Sequence, residues 1–411
     1  MAAAAPFSPT FGISPPVLAG RDDVLADMDE VIDGNIYSPA CASLLLGIRG
    51  MGKTALLNAI EDRARGQGWL TISESGYPAG LVSRITLHAS ELVRSLDAED
   101  SPPARRRITG AALMGAGIAT EMASEPERPP PSLTMILTSL GERLAERGCG
   151  LLISIDELHD ADTGEVREFG SIFQLASRRR ELPVAFAGAA LPELRHTVLS
   201  GAKSTFLQRC AQYDLGPLEG SEAEQALLVP MEQAGGTIGA GLLRQAAEAS
   251  GGHPFMVQLI GARVWSSAAD PAAGITAAEV QRGIDEARQR FGGSVYGPVW
   301  STLTGPERRF LIAMIADDDR PSAVSAVGSR WGRPYGSLST YRRRLINKGM
   351  IESAGRGRVR FVRPGARDYA ITQARQEGWT LDDRGAVNPP DIPEPGPWNN
   401  PLPGSTQSTD P

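Results

Sequence analysis

Lysine is almost missing from this sequence. Of 41 basic residues only Lys53, Lys203 and Lys348 are lysines, so each of the three asks for a specific reason. Cysteine is scarce too. Cys41, Cys149 and Cys210 lie far apart, with no CxxC or metal-ligand spacing, which argues against a disulfide scaffold and a zinc finger. No apolar run approaches the roughly 18 residues of a membrane span. Uncharged stretches such as 34–48 and 108–120 are too short or too rich in glycine. The first 20 residues are also uncharged, but four prolines interrupt them and they lack the basic start of a signal peptide. A cytoplasmic protein without a membrane partner is expected.

What is present fits a globular chain of two or three domains: 411 residues, 41% apolar and 22% charged. The net charge of −7 hides an asymmetry. Residues 330–367 hold eleven basic residues against the single acid Glu352, a net +10 that leaves −17 for the remainder. A basic island on an acidic protein suggests a local anionic partner.

Along the chain, residues 1–16 read as a flexible, proline-rich lead. Strand and helix patterns then alternate. Strands are expected at 42–46, 69–72, 151–155 and 184–187, with a fifth at 213–215. Helices are expected around 25–32 and at 55–65, 82–96, 133–145 and 166–180. That alternation predicts a parallel three-layer α/β domain over 17–218, with 97–131 as an insertion or loop. Only helical patterns follow, at 222–233, 240–249, 254–267 and 277–291, predicting a helical domain over 219–295. A third block, 300–375, has helical patterns at 307–315, 322–330 and 335–348 and then a hairpin-like stretch. Residues 382–411, with eight prolines from Pro389 on, are expected to be disordered.

The most specific pattern is Gly47-Ile48-Arg49-Gly50-Met51-Gly52-Lys53-Thr54, which fits G-x-x-x-x-G-K-[ST]. Given 46 glycines and three lysines, chance predicts about 0.004 such matches, so a coincidental turn is set aside. A strand pattern precedes it, and a helix pattern opens at Ala55. Such a loop turns backbone N–H groups toward phosphate oxygens, and the helix N-terminus adds partial positive charge. Lys53 then supplies a point charge to the β- and γ-phosphates, and Thr54 a hydroxyl to Mg²⁺. The expected nucleotide contacts here are Gly47, Gly50, Met51, Gly52, Lys53, Thr54 and Ala55, with ATP and Mg²⁺ as ligands.

A second pattern, Leu151-Leu152-Ile153-Ser154-Ile155-Asp156-Glu157, is an apolar strand ending in two acids. A carboxylate at that end of a parallel strand sits beside the phosphate loop. Asp156 is expected to hold Mg²⁺ through its water shell. Glu157 would polarise the attacking water, making Glu157 and Lys53 the catalytic pair. His159 reads as a helix-start or surface residue. The next strand ends in Gly188-Ala189-Ala190, with no polar side chain to sense the cleaved phosphate. Arg178, Arg179 and Arg180 read as cations at a helix C-terminus. Arg209 is placed to act as a finger on a neighbouring subunit of a homo-oligomer. Gly251-Gly252-His253-Pro254 is either an ordinary helix–helix loop or a closure that brings His253 and Pro254 over the nucleotide.

In the basic island, three helices and a two-stranded wing would form a winged helix-turn-helix. The third helix carries Tyr335, Ser337, Ser339, Thr340, Tyr341, Arg342, Arg343 and Arg344, side chains suited to base edges and phosphates of duplex DNA. Arg356, Arg358 and Arg360 in the wing suit a backbone or a minor groove. The alternative is a module for a protein partner with a solvated basic face.

Together, Leu18-Ala19-Gly20-Arg21, the phosphate loop, Asp156-Glu157, Leu215-Gly216-Pro217-Leu218, Gly252-His253-Pro254 and the C-terminal block resemble the initiator-like (origin-recognition-type) AAA ATPases and the related STAND signalling ATPases, over about 17–370. The fold class this implies is α/β: a three-layer P-loop NTPase with an ASCE/AAA-type parallel sheet, then a helical lid and a winged helix. The resemblance also implies that Leu18 to Arg21, Gly20 included, contact the adenine. No arginine lies between Gly251 and Gly261, where the initiator branch usually carries one. With the missing polar sensor, this makes a slow ATP/ADP switch the expectation. Its output would be DNA binding or, in a STAND-like signalling or defence protein, contact with a protein partner.

Overall fold

The computed structural model describes residues 6–10, 12–100, 131–178, 182–195, 205–318, 320–362, 365–381 and 387–388. Most of the expected 97–131 insertion, Arg179 and Arg180, and nearly all of the proline-rich tail lie outside them. The chain divides into two units, Met1–Ala287 and Arg288–Pro411.

In the first unit, five strands form one parallel sheet: β1 (Ala42–Leu46), β2 (Leu70–Ser75), β3 (Leu151–Asp156), β4 (Val184–Ala190) and β5 (Ala211–Asp214), in the order β2-β3-β4-β1-β5. Both faces are covered, so the strands read as continuous apolar runs. Within each run the pleat still sorts side chains. Leu44, Leu46, Ile153, Ile155 and Phe186 point into one core, and Leu45, Leu152, Ala185 and Ala187 into the other. The first core is closed by α3 (Leu81–Asp100), α4 (Leu133–Glu146) and α5 (Thr163–Arg178), with Phe169, Phe173, Phe186 and Phe206 clustered at ring separations of 5.3–6.3 Å. Phe206 comes from the short α6 (Thr205–Arg209). The second core is closed by α1 (Asp22–Ile32) and α2 (Lys53–Gly66), with Trp69 donating its indole N–H to Ile32 O at 3.1 Å.

Four helices complete this unit: α7 (Gly220–Gln233), α8 (Ala240–Ala249), α9 (Pro254–Ser267) and α10 (Ala277–Phe291), whose last turn crosses the unit boundary. α9 is buried on nearly every side, from Met256 through Ala262 and on to Trp265. A helix apolar all round must be covered all round. The remaining cover is the N-terminal segment. Phe7 is buried against Gly261, and the backbone N–H of Ser8 donates to Gln258 Oε1 at 3.2 Å. Within the expected flexible lead, Phe7 and Ser8 are therefore seated on α9.

The second unit contains α11 (Gly297–Ser301), α12 (Gly305–Ile315), β6 (Ser322–Ala323), α13 (Val324–Trp331), a 3₁₀ turn (Tyr335–Leu338) running into α14 (Ser339–Asn347), β7 (Ile351–Ser353), β8 (Arg358–Phe361), α15 (Ala366–Gln376), and the short pair β9 (Thr380–Leu381) and β10 (Val387–Asn388). β8 is central in an antiparallel β6-β8-β7 sheet. The expected second helix starts two residues late because Ser322 and Ala323 pair with Val359 and Arg358. α12 opens with a capping box: Thr304 N donates to Glu307 Oε2 at 2.8 Å and Glu307 N to Thr304 Oγ1 at 3.4 Å. Lys348 then donates to the same buried carboxylate at 2.9 Å and to Thr302 O at 3.1 Å. One of the scarce lysines is thus a pin between the end of α14 and the start of α12. Among the described residues no helix is long and apolar enough to cross a membrane.

Candidate functional site

The strand register brings the expected groups to one edge of the sheet. Leu46 pairs with Ala190 and Ile155 with Gly188, so β1, β4 and β3 end nearly level. The phosphate-loop sequence leaves β1 at Gly47 and enters α2 at Lys53. Gly52 stands before α2 with φ 83°, and α2 has no side-chain cap. Its first N–H groups are therefore available to an anion. Gly50 is needed for space: a Cβ there would lie 2.9 Å from His253 Nε2. Met51 is buried among Leu45, Leu56 and Leu215, which anchors the loop in the second core. Thr54 and Ala55 sit in the first turn of α2.

Lys53 is 6% exposed, and its Nζ donates to Gly47 O at 2.9 Å and Ile48 O at 3.2 Å. Burial lowers its pKa, while the nearby Glu157 and Asp156 carboxylates act in the opposite direction. Thr54 Oγ1 donates to Asp156 Oδ2 at 2.6 Å, and Asp156 Oδ1 accepts the Glu157 N–H at 2.8 Å. This pair of hard oxygen donors fits a magnesium ion, which takes carboxylate and hydroxyl oxygens in preference to nitrogen or sulfur. Glu157 sits at φ 48° in the left-handed region, which costs an ordinary residue about 1–2 kcal/mol. Its backbone is fixed there by Asp160 N, which donates to Glu157 O at 2.9 Å. The end of β2 also closes on it, since a Cβ on Gly76 would collide with the Glu157 carbonyl.

A cleft of about 350 Å³ opens over this edge. Gly50 to Ala55 and Glu157 line it, together with Pro254, Phe255, Val257 and Gln258 from the start of α9. Its third wall is the N-terminal segment, with Ser8, Thr10, Ile13, Val17, Leu18 and Ala19. Sequence reasoning had no role for Ser8, Thr10, Ile13 or Gln258. The available signal was α9, too apolar to be satisfied by helices on one side.

Two expected nucleotide contacts have structural duties. Arg21 also lines the cleft, yet its guanidinium donates to Gly20 O at 2.9 Å, Gly216 O at 2.8 Å and Met51 O at 3.4 Å. It braces the lead segment, the phosphate loop and the segment after β5 against one another. Burial lowers its pKa, and the Glu222 carboxylate, packed against Gly20, acts against that. His253 is 2% exposed, and its Nε2 lies 3.3 Å from Arg49 O. A carbonyl only accepts, so Nε2 carries the proton. Burial pushes the His253 pKa down to about 4. His253 therefore meets the phosphate loop as a neutral ring behind it, while Pro254 faces the cleft.

His159 is more buried than a surface residue, with a side chain 13% exposed beside Glu157. Arg209 is exposed at the end of α6 and is not among the cleft-lining residues. Gly188, Ala189 and Ala190 are all buried, as an apolar strand end should be.

In the second unit, Tyr335, Ser337, Ser339, Arg343 and Arg344 are exposed on the 3₁₀ turn and α14, and Arg356 and Arg358 on the β7–β8 hairpin. The other basic groups are partly neutralised. Arg330 grips Asp317 through two bonds of 2.6 Å, Arg367 pairs with Asp318 at 2.9 Å, Lys348 with Glu307, and Arg360 with Glu352 across the hairpin. Three of those four acids precede residue 330, so the count of +10 overstated the usable charge. Arg342 is half-buried and donates to Ser353 Oγ at 3.1 Å, tying α14 to the hairpin.

Residues 17–187 match the AAA ATPase domain, and residues 293–370 match a domain of unknown function (DUF8462). The first unit thus has a P-loop ATPase fold, and residues 17–187 within it are similar to the AAA ATPase domain. Among solved structures, the Walker-type ATPase paby2304 of Pyrococcus abyssi is 15% identical, with a TM-score of 0.56 over 86% of this chain and 96% of its own. The ORC2 protein of Aeropyrum pernix, solved as ADPNP–ADP complexes, is 14% identical, with a TM-score of 0.55 over 90% of this chain and 98% of its own. At such identities the likeness is one of fold. No curated protein matches the sequence.

Proposed function

We propose that this chain is a slowly hydrolysing, Mg²⁺-dependent ATP switch whose nucleotide state controls binding of duplex DNA by a C-terminal winged helix. The observation that carries the reading is the convergence of Lys53, Thr54 and Glu157 in one cleft, with Asp156 bonded to Thr54. The N-terminal strap and the start of α9 would hold the base and ribose between them. The α2 N-terminus and Lys53 would bind the phosphate tail. Thr54 and Asp156 would hold the magnesium ion, which offsets phosphate charge. Glu157 would accept a proton from the attacking water as its oxygen bonds to the γ-phosphorus and the bond to the β–γ bridging oxygen breaks, giving ADP and inorganic phosphate. A slow rate follows from the apolar end of β4 and from the missing arginine at the start of α9.

The DNA part rests on the exposed Arg343, Arg344, Arg356 and Arg358 together with the exposed Tyr335, Ser337 and Ser339. Helices α12, α13 and α14 with the β7–β8 hairpin have the element order of a winged helix-turn-helix. The second reading is a STAND-like protein whose basic module contacts a protein. The extent of internal ion pairing in that module favours it over a simple charge argument.

Fluorescence anisotropy of a labelled duplex tests the choice, with Mg·ATP, with Mg·ADP and without nucleotide, at two salt concentrations. The expected result is salt-sensitive binding whose affinity differs between nucleotide states, with that difference lost in Lys53→Ala. No binding in any state would overturn the DNA reading and leave the protein-contact module.

A further inference from the structure

The end of β4 lacks a polar side chain of its own, yet a polar group reaches it from the turn after β3. The backbone N–H of Leu191, the residue after β4, donates to His159 Nδ1 at 3.3 Å. With Nδ1 accepting, the proton of the neutral imidazole must sit on Nε2. That nitrogen lies 3.3 Å from Glu157 Oε2 and 3.8 Å from Asp160 Oδ1. One ring therefore spans the gap between the end of the central strand and the acid at the mouth of the cleft. The Glu157 side chain is 43% exposed and has soft torsions of its own, so its backbone geometry does not fix its carboxylate. The Nε2–H group 3.3 Å from Oε2 restrains it by charge–dipole attraction.

We propose that His159 is a positioning residue for Glu157, orienting its carboxylate for the attacking water and linking that orientation to the end of β4. This rests on the reading of Glu157 as the group that polarises water. The imidazole then does for this site what a polar residue on β4 would do. It senses the strand end through a main-chain amide and passes that position to the carboxylate through Nε2–H. When phosphate leaves and the strand end shifts, the carboxylate shifts with it.

The two nitrogens give the test its resolution. A Gln amide nitrogen reaches about where Nε2 stands, so His159→Gln keeps a donor for Glu157 and loses the acceptor for Leu191. An Asn amide oxygen reaches about where Nδ1 stands, so His159→Asn does the reverse. Steady-state ATP hydrolysis by the full chain should show kcat reduced roughly 10- to 100-fold in His159→Ala and His159→Asn, with His159→Gln recovering most of the loss and KM moving less than about threefold. In a Glu157→Gln background, His159→Ala should cost nothing further, because two groups acting as a unit are not additive.

Asn restoring activity better than Gln would make the role one of holding Leu191, and would overturn the proposal. So would a rise in KM at constant kcat, or an unchanged kcat in all three variants. If Glu157→Gln itself hydrolyses ATP at the wild-type rate, the reading of Glu157 falls and the proposal with it. If Glu157→Gln is inactive while the His159 series is flat, only the assignment of His159 falls. Because Gln and Asn are both polar and of similar bulk, their contrast stays informative even if His159→Ala is poorly folded.

Discussion

Single residues in this protein divide into those that face the cleft and those that hold it from behind. His253 belongs to the second group, and its burial has a pH signature. Its pKa is depressed to about 4 in the folded chain, against about 6.5 in an unfolded one. Between those values the unfolded chain binds more protons, so stability falls as pH drops from 6.5 toward 4 and is restored above it. The loss amounts to roughly 3 kcal/mol across that window. Urea unfolding at pH 7.5 and pH 5 should show about 2 kcal/mol of this loss in the wild type and little of it in His253→Asn; equal losses in both would assign the acid sensitivity to other groups. The thiols are quieter: burial pushes Cys41 to about 11 and Cys210 to about 12, which leaves few thiolates to react.

At the scale of elements, the pair formed by α14 and the β7–β8 hairpin carries the DNA proposal. Arg343 and Arg344 point to solvent, while Arg342 is engaged with Ser353. Replacing all three with alanine should lower the slope of log affinity against log salt by about two units, with the third arginine lost as packing. Anisotropy titrations over a salt series check this, and an unchanged slope would move the contact elsewhere. Elements also explain what the sequence disclosed. Strand and helix alternation, the phosphate loop and the Asp156-Glu157 strand end were legible because each is a local pattern with a local cause. The N-terminal strap was not, because Phe7 has meaning only opposite Gly261, some 250 residues away. α15, which the sequence reading left out, and the short β6 were hidden for the same reason. Ser322 becomes a strand only by pairing with Val359. The roles of Arg21 and His253 were half legible: their neighbourhood was right, but not that their polar atoms go to the backbone.

At the scale of the whole molecule, two units each bury their own apolar interior, the first in two cores around Phe186 and around Leu45, the second around Phe310, Val327 and Leu345. Ligand binding to the first should stabilise it by mass action, about 2.7 kcal/mol at a hundredfold excess over Kd. Calorimetry with Mg·ATP should therefore raise the transition of the first unit, and Lys53→Ala should remove that rise; a transition indifferent to nucleotide would contradict the site. The near absence of lysine has a practical sequel. The two described lysines are both committed, Lys53 inside the phosphate loop and Lys348 to the carboxylate of Glu307. The lowered pKa of Lys53 keeps more of its amine in the free-base form that acylating reagents attack. Amine-directed labelling, ordinarily blind to function because lysines are everywhere, has three side-chain targets in this chain, of which Lys53 reports on the phosphate loop.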